Sequence, residues 1–305
     1  MTTQQETSSY FVGVDLNTRK IRCLLLDASG EICARSDLFT ELYLGIEHIV
    51  SGLYSTLRKV LEGQDLTWEQ VGGIGVALPY NVLNGKPCFC FDKWSGEELA
   101  AMIAEAAGVP VRLVSYGMAL CLAQTRGHDE ARRGGVLGVD IFETLASAGV
   151  LPAGERESHI RDCLNVGHMV THPRGALCAC GRRGCLNLMG TGNAAVRYYE
   201  ELTRQRVAVS ELKRRLKAGD IHAAKAMDKC AESIGICILN LLTVFSANSI
   251  CLGGDFIRGN PYLFEKATAF VKAVCPADVQ IIRPEQKDSS EAYGAGLFAM
   301  KAYPH

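Results

Sequence analysis

Short buried runs and helical spacings alternate along the chain. Residues 10 to 16 (YFVGVDL) and 20 to 27 (KIRCLLLD) each read as a buried strand. Ala28-Ser29-Gly30 reads as a turn, and EICARSD as a third strand after it. Three strands in succession predict an antiparallel meander at one end of a sheet. Ile46, Ile49, Val50, Leu53, Leu57, Val60 and Leu61 then recur at helical spacing. VGGIGVA (71 to 77) is a further buried strand, EELAAMIAEAA (97 to 107) a helix, and PVRLVS (110 to 115) the strand that follows. Two βα units after a meander predict an α/β domain.

A second series begins with GVLGVDI (135 to 141) and TLASAGVL (144 to 151), which read as paired strands. Helices are predicted over 188 to 203, 207 to 217 and about 222 to 246. SICLGG (249 to 254) and VQIIRP (279 to 284) are strands, and SSEAYGAGLFAMKAY (289 to 303) is a closing helix. The chain therefore divides into an N-terminal α/β lobe, 1 to 114, joined by the closing helix 289 to 305, and a second α/β lobe, 115 to 288. No Pro/Ser-rich linker separates them, which predicts close packing of the lobes.

Composition narrows the classes. Hydrophobic residues make up 48% of the 305, enough for a sizeable core. The net charge is -1 with no basic stripe, which argues against nucleic-acid or anionic-membrane partners. No apolar run reaches the roughly 18 residues of a membrane helix. The opening MTTQQETSSY is polar and has no signal-peptide core. Thirteen cysteines cannot all pair, and a reduced, cytoplasmic location is expected.

The clustered cysteines carry the strongest chemistry. In LNVGHMVTHPRGALCACGRRGCLN (164 to 187), His168, Cys178, Cys180 and Cys185 give H-x9-C-x-C-x4-C. Three thiolates and an imidazole suit tetrahedral zinc, and four protein ligands leave no open position for water. A structural zinc is expected. The other ten cysteines are scattered as small core residues are. His172 is the nearest alternative ligand and reads instead as a solvated loop histidine.

The same stretch resembles the signature of the ROK family (repressors, open reading frames and sugar kinases), roughly E-x-G-H followed by C-x-C-G-x-x-G-C-L-E. GVDLNTRKI (13 to 21), SICLGGDF (249 to 256) and GAGLFA (294 to 299) resemble the family's opening strand, adenosine-side strand and closing helix. The resemblance implies the fold of the actin-like sugar kinases: two α/β, ribonuclease-H-like lobes with a cleft that takes sugar and ATP. It also implies a homodimer formed through the second lobe.

The family's site residues map onto altered positions. The first phosphate loop keeps Asp15, but Asn17-Thr18-Arg19 stand where the family has G-G-T. The second, G-T-G-x-G, becomes Phe142-Glu143-Thr144-Leu145-Ala146, so the carboxylate of Glu143 lies where phosphate would. Backbone must approach phosphate closely, and glycine permits that. The catalytic Asp of N-D-A-N becomes Tyr116, a phenol with a pKa near 10 and a poor base at pH 7. Asn165 and Asn187 replace the two sugar-binding acids. His168 survives as a sugar contact, and Gly253-Gly254 as the adenosine-side glycines.

Three functions follow. The favoured one is a pseudokinase that senses a ligand or regulates a partner, with Tyr116, Trp94, Asn165, His168 and Asn187 around a small neutral ligand such as a sugar. Tyr116 plugging the pocket is the competing reading of those residues. Glu143 as a solvated acid, and Asp15 as a cap for the loop after its strand, are the bland readings there. The alternative function is an active hexose kinase of the glucokinase or allose-kinase type with a rearranged site, using Mg-ATP. The third is a ROK regulator without its DNA-binding domain.

Overall fold

The computed structural model describes residues 10–17, 20–39, 44–78, 80–83, 86–89, 95–126, 133–155, 159–163, 165–275, 279–285 and 289–302. The chain forms two compact units, Met1–Ala123 with Asp288–His305, and Gln124–Lys287.

The first unit holds a mixed sheet in the order β3-β2-β1-β4-β7, built from β1 (Tyr10–Leu16), β2 (Lys20–Asp27), β3 (Ile32–Phe39), β4 (Val71–Leu78) and β7 (Val111–Ser115). The predicted meander is present: β1 to β3 pair antiparallel, and β4 and β7 run parallel to β1. A small hairpin, β5 (Tyr80–Leu83) with β6 (Lys86–Phe89), stands apart from it. Helices Ile46–Glu62 and Gly96–Ala107 bury their apolar stripes on one face, with Leu53, Leu57, Leu99 and Ile103 in the core. The closing helix, Ser290–Ala302, lies against the other face. It comes so near that a Cβ on Gly75 would stand 1.8 Å from the Ala295 carbonyl oxygen, an approach only glycine permits.

The Tyr116–Thr125 helix carries no amphipathic stripe and is buried over most of its surface, so no helical period announces it. Its Ala119 carbonyl lies against Gly294 of the closing helix. The division of the chain falls after Ala123, inside the Tyr116–Thr125 helix and later than the expected boundary near 115.

The second unit repeats the plan with a mixed sheet in the order β10-β9-β8-β11-β12. Its strands are β8 (Val136–Ile141), β9 (Ala146–Leu151), β10 (Arg161–Asp162), β11 (Ser249–Gly253) and β12 (Gln280–Ile282). Helix Ile221–Val244 is central to its core, capped by Asp220, whose side chain accepts from the His222 and Ala223 amides. The helix predicted over 188 to 203 is two helices, Leu186–Met189 and Gly192–Thr203. Thr191 between them is extended, and its hydroxyl donates back to the Asn187 carbonyl at 2.6 Å. Helix Pro261–Val274 is a further element the hydrophobic pattern did not single out. It starts on an Asn260 cap with proline in its first turn. Among the described residues no helix is long and apolar enough to cross a membrane.

Candidate metal centre and family-site positions

The strongest site lies in the second unit. His168 ends a short 3-10 turn, Val166–His168, and the three cysteines follow on a folded-back loop. Two isolated bridges, Val170 with Cys185 and Leu177 with Arg183, hold the loop's arms together. Cys178 N donates to Arg182 O at 2.8 Å, and Gly181 N to Cys178 O at 2.9 Å. Gly184 is left-handed (φ 69°), and a Cβ there would stand 1.6 Å from the His172 carbonyl oxygen. Glycine is thus what lets the loop close.

The loop gathers the four predicted ligands. One donor atom from each of His168, Cys178, Cys180 and Cys185 lies within 4.8 Å of every other. Cys178 Sγ is 3.4 Å from His168 Nδ1, and Cys180 Sγ is 3.5 Å from Cys185 Sγ. Metal bonds of about 2.0 to 2.3 Å at tetrahedral angles give donor separations of roughly 3.5 to 3.8 Å. The donor set could therefore hold a zinc-sized ion with small adjustments.

The electrostatics are mixed in direction. Burial, then Arg182, lowers the pKa of the His168 imidazole, the direction that favours its neutral form. A backbone hydrogen bond at Arg182 leads the effects that lower Cys180. Burial and the neighbouring thiols push Cys185 up to about 12. A dication among them would favour the thiolates. His172 stands outside the cluster: Nδ1 is 3.4 Å from Ser233 Oγ, and Nε2 is 3.8 Å from Glu232 Oε1. It is a loop residue with 33% of its side chain exposed, beside the Ile221–Val244 helix.

The sugar-site positions of this unit surround the same turn. Asn165 is left-handed (φ 65°) and opens the turn that carries His168. Asn187 Oδ1 accepts from the Ala146 amide at 2.8 Å, which ties the start of the Leu186–Met189 helix to β9.

The 142 to 146 segment is a tight connection between β8 and β9, closed by Phe142 N donating to Leu145 O at 2.9 Å. It docks on the Gly192–Thr203 helix, whose Gly192 and Asn193 amides donate to the Phe142 and Glu143 carbonyls. Amides that a helix start could offer to an anion are thereby occupied. Glu143 is half-buried beside Gly192, which corrects its reading as a solvated acid. Gly253 ends β11, and Gly254 follows with φ 88°. A Cβ on Gly254 would lie 2.3 Å from the Ile141 carbonyl oxygen, so packing alone accounts for that glycine.

In the first unit, Asp15, Asn17 and Tyr116 come together at the end of β1. Asp15 is 1% exposed and stands opposite Arg22 in the β1–β2 register. Arg22 Nη1 reaches Asp15 Oδ2 at 2.7 Å. Asp15 is therefore an ion-pair partner of Arg22, and the turn that follows is closed by Asn17 N donating to Lys20 O at 3.0 Å. Tyr116 begins its helix, is 2% exposed, and its hydroxyl donates to the Leu16 carbonyl oxygen at 2.7 Å. Trp94, Thr18 and Arg19 lie outside the described residues.

Arg22 is the participant that sequence reasoning missed. A charged residue inside a buried run was its signal.

Comparison with known proteins places these features in a family. The ROK family profile matches residues 11–302, and the chain belongs to that family, with the actin-like sugar-kinase fold. A glucokinase of Thermotoga maritima is 23% identical over 275 residues, spanning 83% of this chain and 84% of that protein. The ROK hexokinase of Thermus thermophilus superposes with a TM-score of 0.75 at 22% identity, over 94% of this chain and 97% of that one. A ROK glucokinase of Streptomyces griseus, solved with glucose and AMPPNP, gives 0.76 at 19% identity over 96% and 99%. At these identities the structural likenesses establish the fold.

Proposed function

We propose that this chain is a ROK protein of sugar-kinase ancestry that no longer phosphorylates sugars with ATP and acts by holding a ligand or a partner. The observation that carries this is the hydrogen bond from the Tyr116 hydroxyl to the Leu16 carbonyl, 2.7 Å, made by a side chain 2% exposed. At the position where the resemblance calls for a general base, a buried phenol is already committed as a donor. Loss of a general base typically costs about 10²- to 10⁴-fold. Asp15, the one acid kept from the first phosphate loop, is committed to Arg22. The closed 142 to 146 turn has no glycines, and it already occupies the Gly192 and Asn193 amides of the helix start. Phosphoryl transfer rests on positioning and electrostatic stabilisation, and all three changes bear on it.

His168, Cys178, Cys180 and Cys185 would hold one structural zinc, which supplies folding energy and no chemistry. Glucose in the Streptomyces griseus glucokinase and the retained His168 turn support a small sugar as ligand, met in the second unit by Asn165, His168 and Asn187. A homodimer in the cytoplasm completes the proposal.

A coupled assay with Mg-ATP across hexoses and amino sugars tests the function. The expected result is no turnover above background. Turnover at the ordinary enzyme rate of about 1 to 10³ per second would establish a rearranged-site hexose kinase instead.

A further inference from the structure

The cysteine loop has an inner division that a four-ligand set does not require. Cys180 Sγ is 3.5 Å from Cys185 Sγ, while Cys178 Sγ is 3.4 Å from the Nδ1 of His168. Two thiols thus face each other, and the third faces the ring. The three also differ in access. Cys178 and Cys185 are buried, whereas Cys180 is partly open to solvent. An accessible thiol beside a second, resolving thiol is the arrangement of redox-sensing cysteines.

The backbone leaves room for the pair to close. Drawing the sulfurs from 3.5 Å to a bond of about 2.05 Å takes a movement of roughly 1.5 Å. Gly181 follows Cys180 with φ 85°, and apart from its chain neighbours nothing lies within 4 Å of where its Cβ would stand. The Cys180 arm can therefore shift without meeting other side chains. Cys185 is the fixed partner: it is bridged to Val170 and opens the Leu186–Met189 helix.

We propose that Cys180 and Cys185 form a reversible redox couple, oxidised to a disulfide by hydrogen peroxide, and that the disulfide form no longer holds the metal. This rests on the zinc reading above and adds a regulation to it. The Cys180 sulfur, as thiolate, attacks one oxygen of the peroxide. An S–O bond forms, the O–O bond breaks, and the departing hydroxide takes up a proton to become water. The Cys185 sulfur then attacks the Cys180 sulfur. An S–S bond forms, the S–O bond breaks, and hydroxide leaves as water with the proton of the Cys185 thiol. In all, two thiols lose two electrons and two protons, and one peroxide becomes two waters. The thiolate is the metal ligand, so only His168 and Cys178 remain, short of the four that a structural site uses.

The full chain, loaded with zinc and freed of reductant, is treated with a small molar excess of hydrogen peroxide. A chromogenic chelator reads released zinc, and peptide mass mapping locates the oxidised thiols. Zinc should fall from about one per chain to near zero, in step with a Cys180–Cys185 link. A dithiol reductant with added zinc should restore the original content. Metal-free chain should form the same link, so the thiol pair is read independently of the metal. Cys178→Ser should still form it, and Cys180→Ser should not; mapping of the unaltered chain decides the pairing even where a variant fails to fold. The proposal is overturned if peroxide leaves the zinc in place, if the link joins Cys178 or a cysteine outside the loop, or if oxidation runs to sulfonic acid with no link. A chain that takes up no zinc before treatment refutes the zinc reading itself, and the initial metal content shows this apart from the mapping.

Discussion

The cysteine loop of the second unit and the β1–β2 corner of the first both place polar side chains on tight backbone. In the loop, all four donors converge to within 4.8 Å with their side chains directed at one another. In the corner, Asp15 and Tyr116 are turned to partners inside the protein, Arg22 and the Leu16 carbonyl. One arrangement could take an ion, while the other pairs its groups within the protein. A group that must act on a substrate pays a structural penalty while it stands ready. A group paired internally gives up chemistry and stabilises the fold. On the proposed function, the difference teaches that a fold outlasts its reaction when the contacts that hold it are separate from those the chemistry needs.

The largest effect should come from the loop. Cys185→Ser removes the most buried of the three thiols, 0% exposed, and leaves the remaining donors unable to complete a tetrahedron. Metal content should fall from about one zinc per chain to near zero, with a stability loss above about 4 kcal/mol, the size seen when a metal site is lost. Elemental analysis and denaturant unfolding check both. Unchanged metal content would remove the contrast between the regions.

The next effect should come from the corner. Arg22→Met strands a buried carboxylate, which costs about 3 to 5 kcal/mol when one partner of a buried pair is removed. The double change Asp15→Asn with Arg22→Met should recover most of that, since no buried charge is left. A double-mutant cycle in urea measures the coupling. If the two single changes simply add, the Asp15–Arg22 pair does not stabilise the unit and the corner is less settled than the geometry implies.

The contrast also governs what could be read in the sequence. The loop was legible because its chemistry depends on residue type and short spacing: three thiols and an imidazole within 18 positions, with Gly181 and Gly184 between them. Strands β1, β2, β4 and β8 were legible because their apolar runs end at polar turns. The corner was not, because Asp15 meets Arg22 through strand pairing and Tyr116 meets Leu16 across 100 residues. Counting outward from the 17 to 19 turn would have set Asp15 opposite Ile21, one position short of the Arg22 it meets. Nothing local would have revealed the Tyr116 bond. The Tyr116–Thr125 helix stayed hidden for a related reason: burial on most sides erases the period that marks a helix.

The smallest effect separates Tyr116 as a structural residue from Tyr116 as a displaced catalyst. Tyr116→Phe keeps the ring and deletes the donor to the Leu16 carbonyl. The cost should be about 0.5 to 1.5 kcal/mol, the net worth of an ordinary hydrogen bond, with metal content unchanged because the site lies in the other unit. Tyr116→Asp should cost more, since it buries a carboxylate in place of a packed ring. It should also restore no kinase activity: Asp15 remains paired with Arg22, and the 142 to 146 turn remains closed. Urea unfolding of both variants, alongside a coupled assay with Mg-ATP and a hexose panel, decides between the two roles. Turnover appearing in Tyr116→Asp alone would mean that the corner still positions substrate and phosphate, and that the tyrosine is its only block.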